Sequence, residues 1–163
     1  MIADTVDLAE TMLDMGRRAR AASRKLGQMT PADRTRGLQA VAAAIRASAS
    51  KVLAANAQDM DAAEAKGLDA AMLDRLALDA ARLEGIASSV EAVAGLPDPI
   101  GKELARWERP NGLDIARIAV PLGVIGIIYE SRPNVTADAG ALCLRSGNAA
   151  ILRCGSESTH SSR

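Results

Sequence analysis

The amino-acid sequence predicts an α/β fold in which helices come first and a parallel sheet follows. Apolar residues recur every three or four positions through most of the first hundred residues, which is the spacing of amphipathic helices. After Pro99 the pattern changes to short apolar runs rich in β-branched residues, which are typical of strands buried in a parallel sheet. The length of 163 residues suits roughly one domain of ordinary size.

Composition excludes several classes of protein. Lys and Arg number 20, as do Asp and Glu, whereas nucleic-acid-binding domains usually carry a basic excess. Two cysteines are too few for a disulfide framework. The chain has neither an apolar run of about 20 residues that would span a membrane nor the apolar stretch of a signal peptide. We therefore expect a soluble, cytoplasmic protein with an aliphatic core, since Phe is absent and Trp and Tyr occur once each.

The first two helices follow from periodicity and capping residues. The first has an apolar stripe from Leu8 to Leu26. The second starts after Thr30, because Thr30 is a good capping residue and Pro31 suits the first helical position. Asp33 favours the positive end of the same helix dipole.

The end of the second helix and the third helix are marked by breaking residues. The apolar face of the second helix continues from Leu38 to Val52, with a possible interruption at Asn56 and a stop at Gly67. A third helix carries Leu83 to Val93, and the two prolines of Leu96–Pro99 end it.

The rest of the chain predicts strands around one helix. Residues 112–120 form a candidate strand after a turn at Pro110–Gly112. Residues 124–129 (VIGIIY) are almost wholly apolar, as in a strand buried on both faces. A helix over about 135–145 and an apolar run at 149–152 complete one βαβ unit.

The predicted fold is incomplete, because a parallel pair needs further strands and helices on both faces. Gly155–Glu157 resembles the start of another helix, and the sequence ends soon afterwards. We expect the chain to be part of a longer protein.

The segment after the first parallel strand contains two candidate site residues. Open α/β sheets bind ligands at the carboxyl ends of their strands, and this segment includes Arg132 and Asn134. Asn134 is either a helix cap or a side-chain amide donor to a developing oxyanion. Arg132 is either a surface arginine or a group that binds a carboxylate or phosphate of a substrate.

A second candidate site follows the next strand. Gly155 lets a ligand approach the backbone, and the amides at Ser156 and the start of a helix suit a phosphate. Arg153 adds a positive charge, and Glu157 is placed to accept hydrogen bonds from ribose hydroxyls. The alternative is an ordinary strand-to-helix turn.

The cysteines and the histidine do not predict a metal site. The spacing of Cys143 and Cys154 matches no common zinc pattern, and His160 alone does not complete one. Cys143 lies in an apolar helix and is expected to be buried. Cys154, beside Arg153, is expected to be more exposed but not reactive, and His160 to be solvated.

Several tracts together resemble the γ-glutamyl phosphate reductase family (glutamate-5-semialdehyde dehydrogenase) of the aldehyde dehydrogenase superfamily. These are Val120–Thr136 (VPLGVIGIIYESRPNVT), Leu142–Asn148 and Ile151–Arg153, supported by Leu73–Leu76 and Leu96–Gly101. The resemblance covers nearly the whole chain.

The resemblance implies an incomplete Rossmann-like sheet of the aldehyde dehydrogenase fold. Residues 1–163 would be the N-terminal part of the cofactor-binding domain, with helices over about 1–99 and a β-rich and βαβ part over about 110–163. The catalytic and oligomerisation domains of the family would lie outside this chain.

The implied reaction is NADPH-dependent reduction of γ-glutamyl phosphate to glutamate 5-semialdehyde, the second step of proline biosynthesis. In this family a cysteine thiolate attacks the acyl phosphate, phosphate leaves, and hydride reduces the thioester. The resemblance also implies a homo-oligomeric parent enzyme, with the glutamate 5-kinase that makes the substrate as a partner. No nucleic-acid or membrane partner is expected.

The family's site residues map onto positions already noted. Asn134 matches the asparagine that stabilises the oxyanion, Arg153 a basic residue that contacts the cofactor, and Glu157 lies close to an acidic residue that contacts a ribose. Cys154 replaces the first of two glycines usual in the family. The family's nucleophilic cysteine lies beyond residue 163, and Cys143 is not that nucleophile, so we expect the chain alone to reduce nothing.

Two other functions remain open. One is that of an aldehyde dehydrogenase relative acting on a free aldehyde. The other is that of a non-catalytic helical interaction module, or a decayed gene product, because long alanine-rich helices can also pair with a partner chain.

Overall fold

A computed structural model describes residues 7–162 of the chain. This part contains six α-helices, four β-strands and one short 3₁₀ helix. The helices are α1 (Leu8–Gln28), α2 (Pro31–Ala47), α3 (Ala49–Ala65), α4 (Ala70–Leu76), α5 (Ala80–Gly95) and α6 (Pro133–Arg145). The strands are β1 (Glu103–Glu108), β2 (Asp114–Ile118), β3 (Val124–Ile128) and β4 (Ala149–Arg153), and the 3₁₀ helix is Ser156–Ser158. The predicted α/β order, with helices first and a parallel pair last, is confirmed.

The capping residues of the helices act largely as predicted. Thr30 and Asp33 form a reciprocal capping box, in which the Thr30 hydroxyl accepts a hydrogen bond from the Asp33 N–H at 3.1 Å. Gly67 follows the end of α3 with φ of +75°, which suits glycine at a helix C-terminus. α4 was not predicted. It has only seven residues, with Asp69 as its N-cap, and is too short for a periodic pattern.

The second predicted helix is two helices, separated at Ser48. The predicted interruption at Asn56 is wrong, because Asn56 is buried inside α3. Its Nδ2 donates to the Leu76 carbonyl at 2.9 Å, and its Oδ1 accepts from the Leu78 N–H at 2.7 Å. Asn56 therefore binds the end of α4 rather than breaking α3.

An aliphatic core lies between α2, α5 and α6, as the composition predicted. Its buried residues are Leu38, Ala42, Ala87, Val90, Ala94 and Ala141. Small alanine side chains let the three helices approach closely. Trp107, on β1, is 40% exposed and lies outside this core.

Two buried arginines join the helices at one end of this core. Arg34 on α2 is 2% exposed and pairs with Asp98, which follows α5. Arg145, the last residue of α6, donates to Oγ1 of Thr35 at 2.9 Å and to the Leu96 carbonyl. These charge-assisted bonds fix α6, and with it the βαβ unit, against α2 and the end of α5.

The strands form two separate pairs. β1 and β2 are antiparallel, with Trp107 opposite Ile115. β1 was not predicted, whereas β2 falls within the predicted 112–120 strand. The predicted turn before β2 is confirmed, since Gly112 has φ of +82° and its N–H donates to the Arg109 carbonyl at 2.9 Å.

β3 and β4 are parallel and are joined by α6. Val124 lies opposite Ala149, and Ile128 lies opposite Arg153. The prediction that β3 is buried on both faces is wrong for the described residues, because exposure alternates along the strand and reaches 87% at Ile128. With a period of two, this alternation means that packed elements cover one face only. No helix among residues 7–162 is both long and apolar enough to cross a membrane.

Candidate active-site cleft

The parallel pair brings the two predicted sites to one edge. Because both strands point the same way, the segments that follow Ile128 and Arg153 leave the sheet together. The Tyr129 N–H continues the ladder by donating to the Arg153 carbonyl at 3.1 Å. Beyond it, Oγ of Ser131 donates to Oε2 of Glu157 at 3.1 Å, so the two segments are in direct contact.

Asn134 lies in the first turn of α6. The predicted start of this helix at Val135 is wrong by two residues, because α6 begins at Pro133 with Arg132 at the N-cap position. The interpretation of Asn134 as a helix cap is therefore wrong as well. Its Nδ2 instead donates to Oδ2 of Asp138, one turn further along, at 3.0 Å. An amide nitrogen carries two N–H donors, so one remains for a ligand.

A cleft of about 500 Å³ opens beside Asn134, between α6 and the α4–α5 pair. We call it the arginine cleft. The charged and amide side chains that line it are those of Asp74, Arg75, Arg82, Arg132, Asn134 and Asp138. The volume falls within the roughly 300–1,000 Å³ usual for small-molecule sites. The structure thus places Arg132 and Asn134 in the wall of one cavity.

The charges of the arginine cleft are unequally paired. Arg82 binds the Asp74 carboxylate at 2.5 Å and the Ala77 carbonyl at 3.0 Å, so this arginine is occupied by the protein. Arg75 and Arg132 are both exposed, and neither forms an ion pair with any residue in the described range 7–162. Two guanidinium groups are therefore free to bind an anion.

The second predicted site contains a fixed carboxylate. Oε1 of Glu157 accepts from the Ser156 hydroxyl at 2.6 Å, and Oε2 accepts from Ser131. The Ser156 hydroxyl and the backbone N–H of Glu157 lower the pKa of this carboxyl, against a smaller opposing effect of burial. A Cβ added to Gly155 would lie 2.7 Å from Oε2 of Glu157. A larger residue at position 155 would therefore displace this carboxylate from its present position.

Arg153 and Cys154 occupy the end of β4. Arg153 is exposed, and its side chain donates to the Cys154 carbonyl. Cys154 is partly buried and does not adopt a positive φ, so its backbone does not need the freedom of the glycine usual in the family. The predicted helix after Gly155 is a single 3₁₀ turn.

The remaining candidates lie apart from the cleft. Cys143 is buried, as predicted, and burial raises the pKa of its thiol. The His160 side chain is exposed, while its backbone N–H donates to Oδ1 of Asp59 at 3.0 Å. No three His, Cys, Asp or Glu residues between 7 and 162 are grouped so as to hold a metal ion.

Four charged residues of the cleft, Asp74, Arg75, Arg82 and Asp138, were not identified as candidates in the sequence. Asp138 could have been identified from the sequence, because it lies four residues after Asn134 and therefore on the same helix face. Arg75 lies on α4, which no periodic pattern announced, and its approach to Arg132 depends on the packing of distant segments.

Comparison with known proteins gives a consistent result. No family model matches the chain. A γ-glutamyl phosphate reductase from Hyphomonas neptunium is 79% identical over 155 residues, which are 95% of this chain and 36% of that protein. One from Paramagnetospirillum magneticum is 62% identical over 98% of this chain and 38% of its own length. The chain thus spans little more than a third of these relatives.

Solved structures show the same likeness in three dimensions. The γ-glutamyl phosphate reductase of Thermotoga maritima matches with a TM-score of 0.89 and 38% identity, over 93% of this chain and 36% of that one. The enzyme of Saccharomyces cerevisiae matches with a TM-score of 0.86 and 34% identity, over 91% of this chain and 38% of its own. The resemblance seen in the sequence is confirmed: in sequence and in fold, this chain corresponds to the N-terminal part of γ-glutamyl phosphate reductases.

Proposed function

We propose that this chain belongs to an oxidoreductase that reduces γ-glutamyl phosphate to glutamate 5-semialdehyde with NADPH, in proline biosynthesis. The similarity to γ-glutamyl phosphate reductases over nearly the whole chain supports the reaction class. The observation that carries the proposal is the position of Arg132 and Asn134 in one cleft, at the carboxyl edge of the parallel pair.

Asn134 is the group that stabilises charge at the reacting carbon. When the acyl carbon becomes tetrahedral, its oxygen gains negative charge, and a fixed amide N–H stabilises that charge. Asp138 holds the amide through one N–H and leaves the other for the oxyanion. Arg132, exposed at the N-cap of α6, supplies positive charge for the phosphate that leaves.

The segment after β4 would hold the cofactor. Arg153 donates to the Cys154 carbonyl but forms no ion pair among residues 7–162, so its charge can meet a phosphate, while Gly155 and Ser156 present backbone and hydroxyl groups at the strand end. Glu157 is oriented by Ser131 and Ser156 and is ionised at neutral pH, which suits it to accept ribose hydroxyls. When bound, NADPH supplies the hydride.

The nucleophile is expected outside this chain. By resemblance, the family's reactive cysteine follows residue 163, and burial of Cys143 with its raised thiol pKa is unsuited to nucleophilic attack. We therefore propose that the 163-residue chain alone is inactive. We also propose that the whole protein is a cytoplasmic homo-oligomer that receives its substrate from a glutamate 5-kinase.

The test joins this chain to the remaining part of the Hyphomonas neptunium reductase and follows NADPH oxidation with γ-glutamyl phosphate. The fusion should turn over, and Asn134→Ala should lower kcat by about 10²–10³-fold. The isolated chain should show no turnover. A fusion that reduces no acyl phosphate but oxidises free aldehydes would instead support the free-aldehyde function.

A binding measurement on the isolated chain addresses the interaction module. We expect NADPH to raise its melting temperature, because ligands that bind the native state stabilise it. A folded sample that NADPH does not stabilise would favour the module and contradict the proposed cofactor site.

A further inference from the structure

We propose that the arginine cleft recognises the α-amino-acid head of the substrate, with Asp138 binding the α-ammonium group and Arg75 binding the α-carboxylate. This inference rests on the proposed function, and it assigns to the same cleft the chemistry that selects a zwitterionic ligand. It gives Asp138 and Arg75 roles that the reacting end of the substrate does not explain.

Asp138 has an unused acceptor beside the reacting group. It is partly buried, and no Lys, Arg or His of residues 7–162 forms an ion pair with it. Oδ2 accepts from Asn134, and Oδ1 has no hydrogen-bond partner in the described chain. A partly buried carboxylate without a cation is costly unless a ligand supplies the charge. An ammonium group is the natural complement.

The opposite wall supplies the complementary cation. Arg75 reaches the cleft from α4, and it shares an adjoining cavity of about 20 Å³ with Glu130 and Arg132. Arg82 is excluded from this role because Asp74 already occupies it. Arg132, next to Asn134 in sequence, is assigned to the phosphate, which leaves the Arg75 guanidinium for a carboxylate.

The spacing suits a glutamyl chain. Asn134 and Asp138 are four residues apart on α6, a rise of about 6 Å along the helix axis. An extended chain of three C–C bonds, from the γ-carbonyl carbon to the α-carbon, spans about 4 Å. One substrate can therefore place its carbonyl oxygen at Asn134 and its α-ammonium group at Asp138.

The arrangement also explains how the site would reject ligands without an amino group. A charged Asp138 carboxylate lies 3.0 Å from the amide that must stabilise the oxyanion, and its negative charge opposes formation of that oxyanion. A bound α-ammonium group neutralises Asp138 and removes the repulsion. An analogue without the amino group leaves the repulsion in place.

The test titrates the isolated 163-residue chain with three ligands that share an uncharged amide tail, observed by backbone amide NMR shifts. L-Glutamine has both head charges, glutaramic acid lacks the ammonium group, and 4-aminobutanamide lacks the carboxylate. L-Glutamine should give saturable shifts around the cleft and bind at least about tenfold more tightly than either analogue. Equal affinity for all three, or no saturable shift with L-glutamine, would overturn the proposal.

Variants assign the two charges. Asp138→Asn should weaken L-glutamine binding about tenfold and leave the binding of glutaramic acid unaffected or slightly tighter. Arg75→Gln should also weaken L-glutamine binding about tenfold, but leave the binding of 4-aminobutanamide unaffected or slightly tighter. Arg75→Lys should restore part of the binding. Glu64→Gln and Arg109→Gln are matched controls, because both residues are exposed and lie outside the cleft. If either cleft variant binds L-glutamine as the controls do, its assigned role is wrong.

Failure of the proposed head-group binding can be distinguished from failure of the proposed reaction. Head-group binding needs neither NADPH nor a nucleophile, so it is measured independently of turnover. A fusion that reduces γ-glutamyl phosphate while the chain ignores L-glutamine would reject the head-group site and keep the reaction. Binding of L-glutamine by a chain whose fusion is inactive would reject the reaction and keep the site.

Discussion

The hydroxyl of Ser131 donates to the carboxylate of Glu157 at 3.1 Å and thereby joins the segment after β3 to the segment after β4. The first belongs to the arginine cleft region and the second to the proposed cofactor site. Ser131 thus helps to position this carboxylate, so a change at either residue should affect binding at the proposed cofactor site.

Glu157→Gln should weaken NADPH binding roughly tenfold, because a neutral amide replaces a charged acceptor while the shape is kept. Ser131→Ala should cause a smaller loss, since the carboxylate stays charged but loses one orienting bond. Isothermal titration with NADPH measures both. Glu64→Gln, on the exposed side of α3, should bind as the unchanged chain does; equal affinity for the unchanged chain and Glu157→Gln would exclude a role for this carboxylate.

The Arg34–Asp98 pair should make the chain sensitive to acid. Burial opposes ionisation of Asp98, but the Ile100 N–H and the guanidinium groups of Arg34 and Arg145 outweigh it and lower the pKa of this carboxyl. A lowered native pKa gives stability that is present above the unfolded pKa and is lost as the pH falls through the native value. The free energy of unfolding should therefore decrease below about pH 4.

Asp98→Asn removes this contribution and leaves Arg34 buried without its counter-charge. We expect a loss of about 3 kcal/mol at neutral pH and a shallower decrease in acid. Urea unfolding at several pH values measures both effects. Asp61→Asn, an exposed carboxyl on α3, is the control and should change little. A variant at residue 98 with the acid profile of the unchanged chain would contradict the assignment.

Local patterns predicted most of the helical part. Capping at Thr30 and the stop at Gly67 need only neighbouring residues, and both are found. Periodicity failed for α4, which is too short, and for β1, whose residues are almost all exposed and show no alternation. It also could not show that Asn56 binds residues from another helix, because that contact depends on tertiary packing.

The site was predicted only as far as the topology determines it. A parallel pair places Arg132 and Glu157 at the same edge, and the sequence shows such a pair. Arg75 and the occupied Arg82 enter the cleft from α4 and α5, and their positions depend on the packing of α4 on α3 and of α5 on α6. Which charged side chains pair across the cleft therefore depends on the tertiary fold. Strand and helix patterns in the sequence do not predict it.

Asn56 should contribute strongly to stability. Asn56→Ala leaves the buried Leu76 carbonyl and the Leu78 N–H without their partner. Each unsatisfied group costs about 1–3 kcal/mol, so we expect a loss of roughly 2–4 kcal/mol. Urea unfolding provides the measurement, with Gln58→Ala as the control, because Gln58 is exposed on the same helix. Equal stability of the two variants would show that water replaces both bonds.

Alanine substitutions at two glycines distinguish the energetic cost of a strained backbone from the cost of steric crowding. Gly112 has φ of +82° and open space around an added Cβ, whereas Gly147 has φ of +73° and its Cβ would lie 2.6 Å from Cδ1 of Ile100 and 3.0 Å from Cγ of Pro121. Gly112→Ala should therefore lose about 1–2 kcal/mol from the left-handed backbone alone. Gly147→Ala should lose a further 1–3 kcal/mol or so, because the Pro121 ring cannot move aside as a flexible side chain does. Urea unfolding of both variants gives the difference. If the two losses are equal, the junction between α6 and β4 relaxes enough to accommodate a methyl group, and Gly147 is required only for its backbone conformation.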